Sequence, residues 1–250
     1  CLITGGGGFL GAKYCEFFSK KKFKVLCVDN DKKKLKKINS FKLKNIVTFE
    51  CDITSENSVN QLYKKINKSY FVDVLVNNAA IDAIPFKKKS KFEKFPSSKV
   101  WDKEISVSLK GSFLMIKFFG EQMIKKKKGS IINIGSDLSV IAPNQKVYKN
   151  SYNNYIKPVT YSVIKHGMLG LTKYFSALYG KDNVRVNMIS PGPIKNNQSK
   201  DLLKELTNII PMNRLGNFKD ILGALFFLAS EESSYITGQN VVIDGGRTII

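Results

Sequence analysis

The chain has 250 residues, 43% of them hydrophobic, which suffices for a core, and no apolar run approaches the length that crosses a bilayer, ILGALFFLAS at 221–230 being the longest candidate. Its formal charge is +21, from 41 basic and 20 acidic residues, yet only Arg185, Arg214 and Arg247 are arginine, so the planar fork favoured at nucleic-acid surfaces is scarce. Lysine runs such as KKKLKK and KKKKG read as solvated faces, and the basic excess leaves a pull on anionic small molecules rather than a nucleic-acid partner.

Cys1, Cys15, Cys27 and Cys51 form no CxxC pair, which argues against a zinc site or a disulfide framework. With one histidine in the chain, no His–carboxylate cluster points to a metal either. Reduced thiols, no export signal and no membrane segment together lead us to expect a soluble cytoplasmic protein. The opening on Cys1 inside a strand pattern suggests that residues precede this numbering.

In chain order, a strand start at 1–4 leads through TGGGGFLG into a helical pattern from Phe9 to Lys20. Short apolar runs follow at 25–28 (VLCV), 46–50 (IVTFE), 72–76 (VDVLV), 130–134 (SIINI), 184–189 (VRVNMI) and 240–244 (NVVID), with helical patterns between most of them. This alternation predicts an α/β fold, a Rossmann-type doubly wound parallel sheet of about seven strands with helices on both faces, in a single domain over 1–250. Residues 143–158, PNQKVYKNSYNNYIKP, are polar and turn-rich, and we read them as an inserted loop on the substrate side without an element of its own.

The glycine run is more than a loose turn in this context. Gly5, Gly8 and Gly11 fall three apart after a strand and at a helix start, a spacing that turns the chain sharply, lets backbone N–H groups approach a pyrophosphate and packs the helix on the sheet. Gly5, Gly8, Phe9, Leu10 and Gly11 are thus candidate dinucleotide-binding positions. Asp29 ends the next strand, eighteen residues after Gly11, where its carboxylate suits the adenosine ribose and repels a 2′-phosphate. That makes NAD the expected cofactor, with NADP second because of Lys32 to Lys34.

On TGGGGFLG at 4–11, Asp29, CDIT at 51–54, NNAA at 77–80, GSIINIGS at 129–136, YSVIK at 161–165, SPGPI at 190–194 and ITGQNVVIDGG at 236–246, the chain resembles the short-chain dehydrogenases/reductases, in their single-domain branch. The resemblance runs nearly end to end. It implies that Asp52 and Ile53 contact the adenine, that Asn78, Ala79 and Ala80 line the cofactor, and that Pro191, Gly192 and Ile194 abut the nicotinamide. The C-terminal part also resembles oxidoreductases associated with flagellin glycan and nonulosonic-acid biosynthesis.

Tyr161 and Lys165 are spaced i, i+4, so on a helix they share a face. An ammonium beside a phenol favours the phenolate and fits Tyr161 for proton exchange with an alcohol or carbonyl. By resemblance Lys165 also binds the nicotinamide ribose, and Ser136 would hold the substrate oxygen as charge develops on it. Ser108 stands where the family has an asparagine that bends its helix and holds a relay water, so the proton relay is the step a serine weakens. His166 reads as structural.

Within 143–158, Tyr148, Tyr152 and Tyr155 alternate with Lys146, Lys149 and Lys157, a pattern that suits stacking on a sugar and attracting an anion, or equally a contact between subunits. The expectation is an NAD(P)-dependent oxidoreductase acting on a polar, sugar-like, anionic alcohol or carbonyl compound, in a homodimer or homotetramer through helices near 100–127 and 161–180. The alternative is a dinucleotide-binding sensor or assembly subunit with weak or lost catalysis.

Overall fold

Strand-forming apolar runs and amphipathic helices alternate along this chain, and in the computed structural model, which describes residues 1–81, 95–151 and 155–250, they build one seven-stranded sheet. The strands are β1 (Leu2–Thr4), β2 (Val25–Asp29), β3 (Ile46–Glu50), β4 (Val74–Asn77), β5 (Gly129–Ile134), β6 (Val184–Pro191) and β7 (Asn240–Ile243). Every pair is parallel and the order is β3-β2-β1-β4-β5-β6-β7. The order therefore reverses between β1 and β4, the crevice where open α/β sheets bind ligands.

The helices are α1 (Phe9–Lys20), α2 (Lys32–Asn39), α3 (Glu56–Asn67), α4 (Ser98–Ile105), α5 (Gly111–Lys126), α6 (Gln145–Ser151), α7 (Val159–Tyr179), α8 (Lys200–Asn208) and α9 (Phe218–Ala229). Alternate residues of each strand feed opposite faces of the sheet. Leu2, Leu26 and Val28 join Val59, Leu62 and Ile66 of α3, Leu114 and Phe119 of α5, and Phe175 of α7. Ile3, Val25 and Cys27 join Tyr14 and Phe18 of α1, Leu35 and Ile38 of α2, and Ile221 and Leu225 of α9. Because both faces are covered, β2 and β6 are buried at every residue; β2 is accordingly apolar up to its terminal Asp29, whereas β6 buries Arg185, Asn187 and Ser190 among its apolar residues by hydrogen-bonding them within the fold.

The KKKLKK run lies on α2, where the lysines are exposed while Leu35 and Ile38 face the core. Arg185 donates to the Leu228 and Ser230 carbonyls and to Ser233, Arg214 forks onto Asp220, and Arg247 is buried against Asp137, so each arginine is engaged within the fold. The four cysteines are buried free thiols. Among the described residues no helix is long and apolar enough to cross a membrane, and no three His, Cys, Asp or Glu side chains cluster as metal ligands.

One expectation fails. Residues 145–151 are not irregular but form α6, which buries Val147, Tyr148 and Ser151 and leaves Lys146, Lys149 and Asn150 in solvent. Val147 and Tyr148 pack with Tyr155 and with Leu202 and Leu206 of α8. The polar composition belongs to the outer face of a short helix whose inner face is satisfied by a partner some fifty residues later in the chain. Tyr152 lies outside the described residues.

Candidate functional site

A cleft of about 750 Å³ opens over the carboxyl ends of β1, β2, β4, β5 and β6. Its first wall is the glycine turn. Gly5 adopts φ +60°, and a Cβ there would fall 2.8 Å from the Ala79 Cα, while one on Gly11 would fall 2.1 Å from the Gly5 carbonyl oxygen. Only glycine lets the strand, the turn and α1 come this close. The turn is stitched to the segment after β4: the Asn78 and Ala79 N–H groups donate to Thr4 Oγ1 at 3.0 and 3.1 Å, and Asn78 Nδ2 donates to the Thr4 and Gly5 carbonyls.

The start of α1 is prepared for an anion. Asp31, Ser55, Ser97, Ser199 and Asn217 cap their helices with side chains, but α1 has Gly8 at its N-cap, no side-chain cap and no acid in its first turn. Its N-terminal N–H groups and dipole face the cleft with no carboxylate in the helix's own first turn to oppose a diphosphate. Asp29 lies beside this turn, where Oδ2 accepts from the Gly7 N–H and Oδ1 from the Asp31 N–H, each at 3.0 Å. The carboxylate is thereby fixed at the cleft wall. Cys51 also lines the cleft, where burial pushes its thiol up, against the opposing hydrogen bond with Ser58, and so favours the neutral thiol.

Ser136, Tyr161 and Lys165 come from the end of β5 and from the first turns of α7, and all three line the same cleft. Lys165 is buried; its Nζ donates to the Ile134 carbonyl at 3.1 Å and lies 5.5 Å from the centre of the Tyr161 ring. The Ser136 hydroxyl donates to Asp137 Oδ1 at 2.8 Å and accepts from the Leu138 N–H at 3.2 Å. Asp137 in turn forms a buried ion pair with Arg247, a residue 110 positions away. His166 is exposed and its Nδ1 meets the Ser162 carbonyl oxygen, outside the cleft.

Of the residues singled out from sequence, Gly5, Gly8, Phe9, Leu10, Gly11, Asp29, Asp52, Ile53, Asn78, Ala79, Ala80, Ser136, Tyr161, Lys165, Pro191, Gly192 and Ile194 all line this cleft. Ser108 does not. It sits in a π-helical turn, Ser106–Lys110, between α4 and α5, buried, with an Oγ that has no hydrogen-bond partner among the described residues. Sequence reasoning missed Asp137 and Arg247, since an ion pair between distant segments leaves no local pattern. Tyr148 and Lys157 of the insert line the cleft, whereas Tyr155 packs behind it.

The family model described as enoyl-(acyl carrier protein) reductase matches residues 9–248. The chain is 32% identical over 250 residues to a 3-oxoacyl-(acyl-carrier-protein) reductase of Buchnera aphidicola subsp. Schizaphis graminum, covering 98% of this chain and 95% of that protein. Among solved structures, a short chain dehydrogenase from Leptospira borgpetersenii serovar Hardjo-bovis with bound NAD+ matches with TM-score 0.87 at 31% identity, over 99% of this chain and 91% of that one. ElxO with NADP bound matches with TM-score 0.82 at 28% identity, over 100% and 98%.

Proposed function

Because the chain belongs to the short-chain dehydrogenase/reductase family and is an NAD(P)-dependent oxidoreductase, we propose that it interconverts an alcohol and a carbonyl on a polar, anionic, sugar-like substrate. The observation that carries this reading is the meeting of Ser136, Tyr161 and Lys165 in one cleft with the glycine turn and Asp29.

Gly5 to Gly11 and the start of α1 would hold the pyrophosphate, and Asp29 the adenosine ribose. Asp52 and Ile53 would border the adenine, Asn78 to Ala80 the middle of the dinucleotide, and Pro191, Gly192 and Ile194 the nicotinamide. The nicotinamide, when bound, supplies the hydride donor or acceptor. Asp29 favours NAD over NADP, since its fixed negative charge meets a 2′-phosphate unfavourably.

The chain's own work is proton handling and orientation. Lys165 favours the phenolate of Tyr161, so that the hydroxyl gives a proton to the substrate oxygen in reduction and takes one in oxidation. Ser136, whose single hydroxyl proton rests on Asp137 Oδ1 in the ligand-free cleft, would turn it to the same oxygen once substrate is bound, where a hydrogen bond strengthens as negative charge develops.

On the substrate side the lining carries Lys103, Lys157, Lys165 and Arg247 against Asp137, a balance that favours an anionic ligand. Asn196 and Gln198 add polar groups suited to hydroxyls. Buried thiols fit a reducing cytoplasm. Phe113 on α5, with Tyr174 and Leu178 on α7, stays exposed on the helix faces that would pair two or four copies.

Tyr161→Phe tests the reading. Turnover, followed by NADH absorbance, is expected to fall about 10²–10⁴-fold, while NADH binding, followed by fluorescence and tighter than NADPH binding, stays nearly unchanged. Retained turnover would remove Tyr161 from the chemistry.

A further inference from the structure

We propose that Lys157 is a second cation acting on Tyr161, a positioning residue that holds the phenol toward its phenolate from the ring face while Lys165 acts from the helix. The proposal rests on the reading of Tyr161 as the acid/base.

Lys157 Nζ lies 3.8 Å from the centre of the Tyr161 ring, nearer than Lys165 Nζ at 5.5 Å. Lys165 owes its place to the i, i+4 geometry of α7. Lys157 does not, because it precedes the helix, whose N-cap is Pro158. Its backbone is instead clamped by one side chain: Gln145 Oε1 accepts from the Lys157 N–H at 2.9 Å, and Gln145 Nε2 donates to the Lys157 carbonyl at 3.2 Å. Gln145 opens α6, so the inserted helix aims this lysine at the tyrosine. Lys157 is only 4% exposed, which removes most of the water that would screen its charge.

An ammonium over a neutral ring gains a modest cation–π attraction. When the phenol ionises, the same ammonium faces a full negative charge delocalised partly into that ring, so the interaction grows with ionisation and favours the phenolate. Among the described residues, the cations around Tyr161 outnumber the uncompensated anions. Lys165 on α7 and Lys103 on α4, both lining the cleft, act in the same direction, and Asp137 beyond β5 is neutralised by Arg247. Glu104 on α4, which accepts from the Thr160 hydroxyl next to Tyr161, opposes it. The arrangement gives this chain a means to run its acid/base at a lower pH than Lys165 alone allows.

The test is a near-ultraviolet titration of the phenolate band, taking the Tyr161 signal as wild type minus Tyr161→Phe, and as Lys157→Met minus Lys157→Met/Tyr161→Phe. Methionine keeps the buried stem and removes the charge. We expect Lys157→Met to raise the Tyr161 midpoint by about one unit, and Lys157→Arg to restore it. Where Lys157→Met fails to fold by circular dichroism, Gln145→Ala releases the clamp while keeping the ammonium, and a smaller upward shift is expected. An unmoved midpoint in a folded variant, or an ordinary tyrosine midpoint in wild type, overturns the proposal. The titration needs no substrate, so a failure of the oxidoreductase reading, seen as turnover retained in Tyr161→Phe, is told apart from a failure of this one.

Discussion

Gly11 is where a single added carbon meets the most rigid surroundings. A Cβ there would lie 2.1 Å from the Gly5 carbonyl oxygen and 2.8 Å from the Gly6 Cα, and backbone cannot swing aside as a side-chain tip can. Gly11→Ala is expected to cost about 1–3 kcal/mol and to weaken NADH binding, read by calorimetric melting and fluorescence titration. Gly223→Ala on α9 is the control: nothing lies within 4 Å of its Cβ, and a helix-interior alanine there gains up to about 1 kcal/mol. Gly11, Asp29, Tyr161 and Lys165 could be singled out from short local spacings and Ser136 from the family resemblance, and all five line the cleft. The aim of Lys157 could not be, since it is set by a Gln145 amide twelve residues back, and among 38 lysines nothing local distinguishes it.

At the scale of elements, the strands were legible almost to the residue, because parallel strands covered on both faces are short and predominantly apolar, even where β5 and β6 admit hydrogen-bonded polar residues such as Asn133 and Arg185. Helix α6 was not, because its inner face is completed only by α8. The π-turn at Ser106–Lys110 was not legible either, because no local pattern in SVSLK marks a switch from i→i+4 to i→i+5 bonding. The start of α9 shows what local signals do well. Asn217 accepts from the Lys219 N–H, and Asp220 returns a bond to the Asn217 N–H, closing a capping box. The Arg214 guanidinium, and then the Asn217 N–H, hold the Asp220 carboxyl below its ordinary value of 3.8. A carboxyl depressed in the fold adds stability that is present above that ordinary value and is lost as pH falls through the folded one. Asn217→Ala is therefore expected to cost about 1 kcal/mol near neutral pH. Asp220→Asn should flatten the acid limb of the melting-temperature profile, measured from neutrality down through the carboxylate range.

For the whole molecule, the β3-β2-β1-β4-β5-β6-β7 order places the dinucleotide half of the cleft over β1 and β2 and the reacting half over β5 and β6, on either side of the β1–β4 reversal. Helical alternation and right-handed crossovers made a doubly wound parallel sheet derivable from the sequence, though not this strand order. What closes the reacting half was not derivable. Arg247, beyond β7, crosses to Asp137 beyond β5, and both side chains are 3% exposed. Asp137 also receives the Ser136 hydroxyl and the Leu138 N–H, so one carboxylate ties the last strand's exit to Ser136 at the cleft wall. Removing one partner of a buried pair leaves the other charge uncompensated, at about 3–5 kcal/mol, whereas replacing both by apolar groups of similar size is often neutral. Arg247→Met should lower the melting temperature and turnover together. Asp137→Leu/Arg247→Met should recover most of the melting temperature but not the turnover, because the cleft has then lost the guanidinium and the carboxylate that stand beside Ser136. Calorimetry and NADH kinetics on the two variants separate these effects, and equal recovery of both quantities in the double variant would reduce the pair to a structural clamp.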